Sequence, residues 1–198
     1  MDRTPPGEEN SPPVPIYTIG YGSRTMAAFL AVLAAHGINY LIDLRSVPYS
    51  RFKPEFGKRE LESHLRQRGI RYVYLGDKLG GQPADRECYV DNKVVYERVK
   101  EKAFYQEGIR RVEKAFCQQL HGVLMCSEGK PETCHRSKLI GESLTELGIP
   151  VVHIDEEDQL RTQEDVVYNL AAGQLSLFGD HAFKSRKRYR AKDEEDDT

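Results

Sequence analysis

The densest run of reactive side chains in the 198-residue sequence is Cys126-Ser127-Glu128-Gly129-Lys130-Pro131-Glu132-Thr133-Cys134-His135-Arg136. It follows the apolar Val123-Leu124-Met125 and precedes a helical pattern, so it reads as a strand end, a loop and the first turn of a helix. Free amides and the positive dipole end at such a turn attract an anion, and Arg136 can add a forked pair of hydrogen bonds to a phosphate or carboxylate. The plainer alternative is that Thr133 caps the helix and Arg136 pairs with Glu132 or Glu142 on its surface. Cys134 can be a thiolate nucleophile with His135 or His153 as base, or a buried filler, which is the reading favoured for Cys126. The Cys-x7-Cys interval and its adjoining histidine do not match ordinary zinc spacing, so no metal is expected. Glu128 and Asp43, each at an apolar strand end, are candidates for acid-base work, with loop fixation through backbone hydrogen bonds as the competing role. No cofactor is identified by these residues. A Gly-x4-Gly-Lys-Ser/Thr loop is lacking, Gly20-Tyr21-Gly22 has no third glycine of a dinucleotide fingerprint, and Glu132 stands where a cysteine phosphatase would need arginine.

These residues can cooperate only if a fold gathers them. Ile16 to Ile19 reads as a buried strand that stops at Gly20-Tyr21-Gly22-Ser23, and Met26, Phe29, Leu30 and Leu33 follow at helical spacing before Gly37. Tyr40 to Leu44 is a second strand, followed by a polar loop through Gly57 and a helix that carries Leu61 and Leu65 and ends at Gly69. Residues 70–75 form a third strand, and a loop holding Gly80-Gly81 takes in much of 82–94. A helix with Ile109, Val112 and Phe116 on one face leads to strand four, Val123 to Cys126. A further helix from about Cys134 carries Ile140, Leu144 and Leu147, Gly148 stops it, and strand five covers 149–154. Strict alternation predicts a single three-layer, Rossmann-like α/β domain over 16–155, with a mainly parallel five-stranded sheet covered on both faces.

In such a sheet, ligands bind beyond the carboxyl ends of the strands. The residues delivered there are Tyr21 and Ser23 after strand one, and Asp43, Arg45, Ser46, Ser50 and Arg51 after strand two. Asp77 and Lys78 follow strand three, Cys126, Ser127 and Glu128 strand four, and His153 and Asp155 strand five. The expected anion- or substrate-binding set is therefore Tyr21, Ser23, Arg45, Ser46, Arg51 and Arg136. The expected catalytic set is Asp43, Glu128, Cys134 and His135.

A net charge of -2 gives no global attraction for nucleic acid, which leaves a local basic patch as the only means. The longest mainly apolar run, Met26 to Ala35, is about half of what a bilayer needs, and no charged-then-apolar leader opens the chain. With four cysteines in ordinary globular sequence, this points to a cytoplasmic protein with reduced thiols. Residues 1–15, with five prolines, are expected to be a disordered leader. Residues 156–198 are expected to be a linker, a short helix near Gln163 to Ala172 and a charged, disordered tail. Oligomeric state is not set by any of these residues.

Four blocks resemble a known family: Thr18-Ile19-Gly20-Tyr21-Gly22; Leu41-Ile42-Asp43-Leu44-Arg45-Ser46-Val47-Pro48; Tyr74-Leu75-Gly76 with Gly80-Gly81; and Leu124-Met125-Cys126-Ser127-Glu128 with Cys134-His135-Arg136. In unbroken order over about residues 16–155 they are similar to the domain of unknown function 488 family, most specifically in the Cys-His-Arg block. The resemblance implies a Rossmann-like α/β fold and one shared site for these loops, and it implies no reaction.

Gln174-Leu175-Ser176-Leu177-Phe178 resembles the pentapeptide by which many bacterial repair and replication proteins dock into the DNA sliding clamp. Leu175, Leu177 and Phe178 would be the anchors and Gln174 the hydrogen-bonding end. The alternative is that this segment folds back on its own domain. Lys184, Arg186, Lys187, Arg188, Arg190 and Lys192 can hold DNA phosphates, whereas Asp193 to Asp197 opposes that and makes a solubilising tail the competing role. The combined expectation is an enzyme acting on a nucleotide or nucleic-acid substrate, recruited through the clamp. A non-catalytic sensor of a phosphorylated ligand and a thiol enzyme of small-molecule metabolism are the alternatives.

Overall fold

The computed structural model describes residues 13–172. In chain order the elements are β1 (Ile16–Gly20), α1 (Met26–Ala35), β2 (Tyr40–Asp43), α2 (Lys58–Gln67), β3 (Arg71–Tyr74), α3 (Gly76–Leu79), β4 (Tyr89–Val90) and β5 (Lys93–Val94). They continue with α4 (Tyr96–Lys100), α5 (Ala103–Cys117), β6 (Gly122–Cys126), α6 (Glu142–Glu146), β7 (Val151–Ile154), β8 (Leu160–Thr162) and α7 (Gln163–Ala172). A π-helical turn, Arg136–Gly141, runs directly into α6. The leader expected over 1–15 and the tail beyond α7, docking pentapeptide and basic run included, lie outside the described residues except for 13–15, where the Val14 N–H donates to Gln119 Oε1.

Among the described residues a six-stranded sheet runs in the order β3-β2-β6-β1-β7-β8, parallel throughout except for β8. The apolar strands alternate between two cores. Ile19, Leu41, Val123, Met125 and Ile154 pack with Phe29, Leu30 and Leu33 of α1 and Leu61 and Leu65 of α2. Ile16, Ile42, Leu124 and Val151 pack with Val99, Ile109, Val112, Ile140 and Leu144 on the other face. Layers of helix on both faces explain why these strands read as continuous apolar runs.

The sheet differs from the five-stranded expectation by β8, which pairs antiparallel with β7 where a linker was expected. Its three residues are all exposed, so no apolar pattern announces it. A tight turn makes it: Asp155 Oδ1 accepts from the Glu157 and Gln159 N–H groups, and Asp158 adopts φ +62°. The loop expected over much of 82–94 contains the β4–β5 hairpin, closed by Asp91 and Asn92, both at positive φ as a two-residue hairpin turn requires. Leu147, expected on the buried face of its helix, is 52% exposed because α6 stops at Glu146 and leaves it at the cap.

A polar line crosses the second core. Thr18 Oγ1 and His153 Nδ1 are 2.6 Å apart, His153 Nε2 and Gln163 Oε1 2.6 Å apart, and Gln163 Nε2 donates to the Ser137 carbonyl. Both ring nitrogens of His153 are thus engaged, and burial pushes its pKa down to about 4. The unfolded chain takes up a proton near pH 6.5, so this histidine's contribution is fully present above that pH and is lost as pH falls toward 4. The loss is about 3 kcal/mol across the window. Unfolding by urea at pH 7 and pH 4.5 should show a smaller drop in His153→Gln than in the wild type, and equal drops would refute the assignment.

Candidate functional site

At the end of β2, Asp43 is fully buried and Arg45 is 5% exposed. Arg45 Nε and Nη2 donate to Asp43 Oδ1 and Oδ2 at 2.9 and 2.6 Å, and the Arg45 N–H and the Tyr72 hydroxyl donate to the same carboxylate. Arg45 Nη1 donates to the Phe56 carbonyl, and the guanidinium carbon lies 5.6 Å from the centre of the Tyr21 ring. Tyr21 in turn stacks on Phe56 at 4.4 Å. Burial and the neighbouring Asp43 charge raise the Tyr72 hydroxyl far above its ordinary pKa. Asp43, expected as an acid or base, is therefore the anchor of Arg45, and that pair ties the β2 loop to the segment before α2.

At the end of β6, Arg136 is fully buried. Its Nη1 and Nη2 donate to the carbonyls of Glu128 and Gly129, each at 2.6 Å, and Nε has no partner. The guanidinium expected to hold an anion instead clamps the loop from within. Gly20 makes the close approach possible, since a Cβ there would stand 1.6 Å from the Glu128 carbonyl and 2.4 Å from Arg136 Nη1. Cys126 and Cys134 are free thiols, each 1% exposed, with sulfurs 2.8 Å apart. Glu128 Oε2 lies 3.1 Å from Cys134 Sγ and 3.6 Å from Cys126 Sγ. Burial and the Cys134 contact push the Cys126 thiol well above its ordinary pKa. His135 Nδ1 is 3.6 Å from Cys134 Sγ, and its Nε2 is buried without a partner.

The two loops meet in a pocket lined by Tyr21, Arg45, Ser46, Tyr49, Glu128 and His135, with Val47, Gly81, Gln82, Cys126 and Ser127 completing its wall, and with a cavity volume of about 170 Å³. Cys134 adjoins it through Glu128, while Asp43 and Arg136 stand behind Arg45 and the Glu128 loop. Ser23 and Arg51 are exposed and line no part of it. The β3 and β7 residues also go elsewhere: Lys78 pairs with Glu107, and Asp155 caps the β7–β8 turn. Residues 25–142 match the family model described as Domain of unknown function DUF488. The chain belongs to this family. Comparisons with curated proteins and with solved structures gave no significant match.

The DUF488 segment opens just before α1 and closes at the start of α6, so it holds most of the pocket wall, from Arg45 to His135. Tyr21, on the β1 loop, is supplied from outside it. Sequence reasoning missed Tyr49 and Gln82, each one residue beyond a block it had singled out, Leu41 to Pro48 and Gly80-Gly81. It also missed Arg24, which is 8% exposed and binds the carbonyls of Gly20 and Asp155 and the carboxylate of Asp158. Its only signal was a charged residue beside a glycine turn. Among the described residues no helix is long and apolar enough to cross a membrane.

Proposed function

We propose that this protein is an enzyme whose pocket takes a small planar substrate of the nucleobase or nucleotide class, with Glu128 as the acid-base group. The observation that carries the reading is the convergence of Tyr21, Arg45, Ser46, Glu128 and His135 on one pocket at the carboxyl edge of a parallel sheet. Its volume of about 170 Å³ is below the roughly 300 Å³ at which drug-sized sites begin, which suits one ring system rather than a dinucleotide. Tyr49, 68% exposed on the wall, offers a ring face for stacking. Ser46, Gln82, Ser127, Glu128 and His135 supply the mixed donors and acceptors that the edge of a base requires. A base inside a duplex would have to leave its stack to enter, so free nucleotides and single strands are the accessible forms.

Glu128 is preferred to the thiols because it is half-buried on the pocket wall whereas both sulfurs are nearly inaccessible. The five parallel strands support placing the domain among Rossmann-like folds, and four free thiols support a cytoplasmic location. Recruitment to DNA through Gln174, Leu175, Leu177 and Phe178, with phosphate contacts from the basic run, rests on the sequence resemblance alone. Full-length protein should bind purified sliding clamp, and Leu177→Ala with Phe178→Ala should abolish that binding. A wild type that ignores the clamp removes the DNA assignment. The catalytic reading is tested by incubating the protein with nucleosides, nucleotides and free bases and following their consumption by chromatography in wild type and Glu128→Gln. Turnover that survives the substitution overturns it.

A further inference from the structure

We propose that Cys126, Glu128 and Cys134 form a binding site for one soft divalent cation of the zinc class. The inference stands on the ligand geometry and does not depend on the substrate reading above. One ligand atom from each of the three residues lies within 4.8 Å of the other two. A tetrahedral zinc with Zn–S of about 2.3 Å and Zn–O of about 2.1 Å sets S···O near ~3.6 Å. Glu128 Oε2, at 3.1 and 3.6 Å from the two sulfurs, is already close to that distance. The sulfurs, 2.8 Å apart, must separate by about 1 Å to reach the ~3.8 Å of two sulfurs on one zinc. Cys126 is fixed in the central strand, so Cys134, between the turn Pro131–Thr133 and the π-helical turn, is the residue that moves.

The Cys-x7-Cys interval is unlike that of a zinc hairpin because its two sulfurs come from a strand end and a helix start, and the third donor comes from the loop between them. Folding assembles the set, and spacing alone does not reveal it. Charge does not oppose occupancy. With both thiols protonated, the Glu128 carboxylate and the buried Arg136 guanidinium cancel. On binding, the two S–H protons go to solvent and two sulfur–metal bonds form, so one divalent cation replaces two protons and the net charge of the buried cluster stays at zero. The Arg136 N–H, 3.5 Å from Cys134 Sγ, and Arg136 Nη1, 3.5 Å from Cys126 Sγ, then serve as hydrogen-bond donors to the metal-bound thiolates. Three protein ligands leave a fourth position, and Cys126 and Glu128 place it beside the pocket. A carboxylate bound through one oxygen keeps the other for proton transfer.

The experiment uses full-length protein under a non-chelating reductant, loaded with Zn²⁺ or Co²⁺ and separated from free metal. Expected are about one equivalent per chain and sulfur-to-cobalt charge-transfer bands that persist in Cys117→Ser, which removes the exposed thiol. Cys134→Ser should weaken Zn²⁺ binding by more than about 100-fold and Cys117→Ser should leave it unchanged. If Cys134→Ser does not fold, the metal content and cobalt spectrum of the wild type and of Cys117→Ser decide the matter. Absence of stoichiometric metal in the reduced wild type, equal affinity in a folded Cys134→Ser, or recovery of the two cysteines as a disulfide with cation present would each overturn the site.

Discussion

Asp43→Asn should destabilise the domain by about 3–5 kcal/mol, a large share of the ~5–15 kcal/mol that holds a typical domain folded. The substitution preserves shape but removes the charge that pairs with Arg45 at 2.6 Å in a fully buried setting. It also turns one acceptor into a donor facing Arg45 or the Tyr72 hydroxyl, both of which already donate to that carboxylate. Arg45 is left as a buried cation facing only neutral acceptors, the Asn oxygen and the Phe56 carbonyl, which is the costly way to break a buried pair. Removing both charges in Asp43→Asn with Arg45→Met should recover part of the loss, since the Asn oxygen can still accept from Tyr72, though the Phe56 carbonyl would lack its partner. Urea unfolding at pH 7 gives the values. A loss below about 1 kcal/mol would show that the pair is not structural and would return Asp43 to the list of possible acids and bases.

The second large effect is on chemistry. Glu128→Gln should lower turnover by about 10²- to 10⁴-fold, the range for loss of a general acid or base, while leaving substrate affinity within a few-fold. The reason lies in what holds Glu128. Its carbonyl is clamped by Arg136, and the amide oxygen of Gln can keep the contacts of Oε2 with the two thiols, so the loop and the pocket wall should survive a change confined to the side-chain head. Loss of ligand binding in Glu128→Gln, with no turnover in the wild type, would make the pocket a sensor. Stability should move little, so circular dichroism and thermal unfolding separate this result from the one expected of Asp43.

The fold was legible where apolar runs and glycines coincide. Gly37, Gly69 and Gly148 all adopt positive φ at the ends of helices, where their lack of Cβ is what the sequence pattern had used to stop each element. β8 was not legible because its residues face solvent and its pairing is written in the Asp155 turn rather than in hydrophobicity. At the site, polar residues at strand ends told where to look. They did not tell which way each guanidinium turns. Arg45 and Arg136 both look inward because Asp43 sits two residues before one, while the Glu128 and Gly129 carbonyls fold back over the other. The second contact joins residues brought close only by the path of the loop and by the room left at Gly20. Tyr49 and Gln82 directly follow Pro48 and Gly81, and it is the path of each loop, not a residue type, that brings them to the pocket.

The most direct test of the pocket is amide chemical-shift mapping of full-length, isotopically labelled protein titrated with each common nucleoside monophosphate and free base. Saturable shifts confined to Tyr21, Ser46, Tyr49, Gly81, Gln82, Ser127, Glu128 and His135 are predicted for at least one of them. Shifts elsewhere on the domain, or none with any probe at millimolar concentration, would contradict the account.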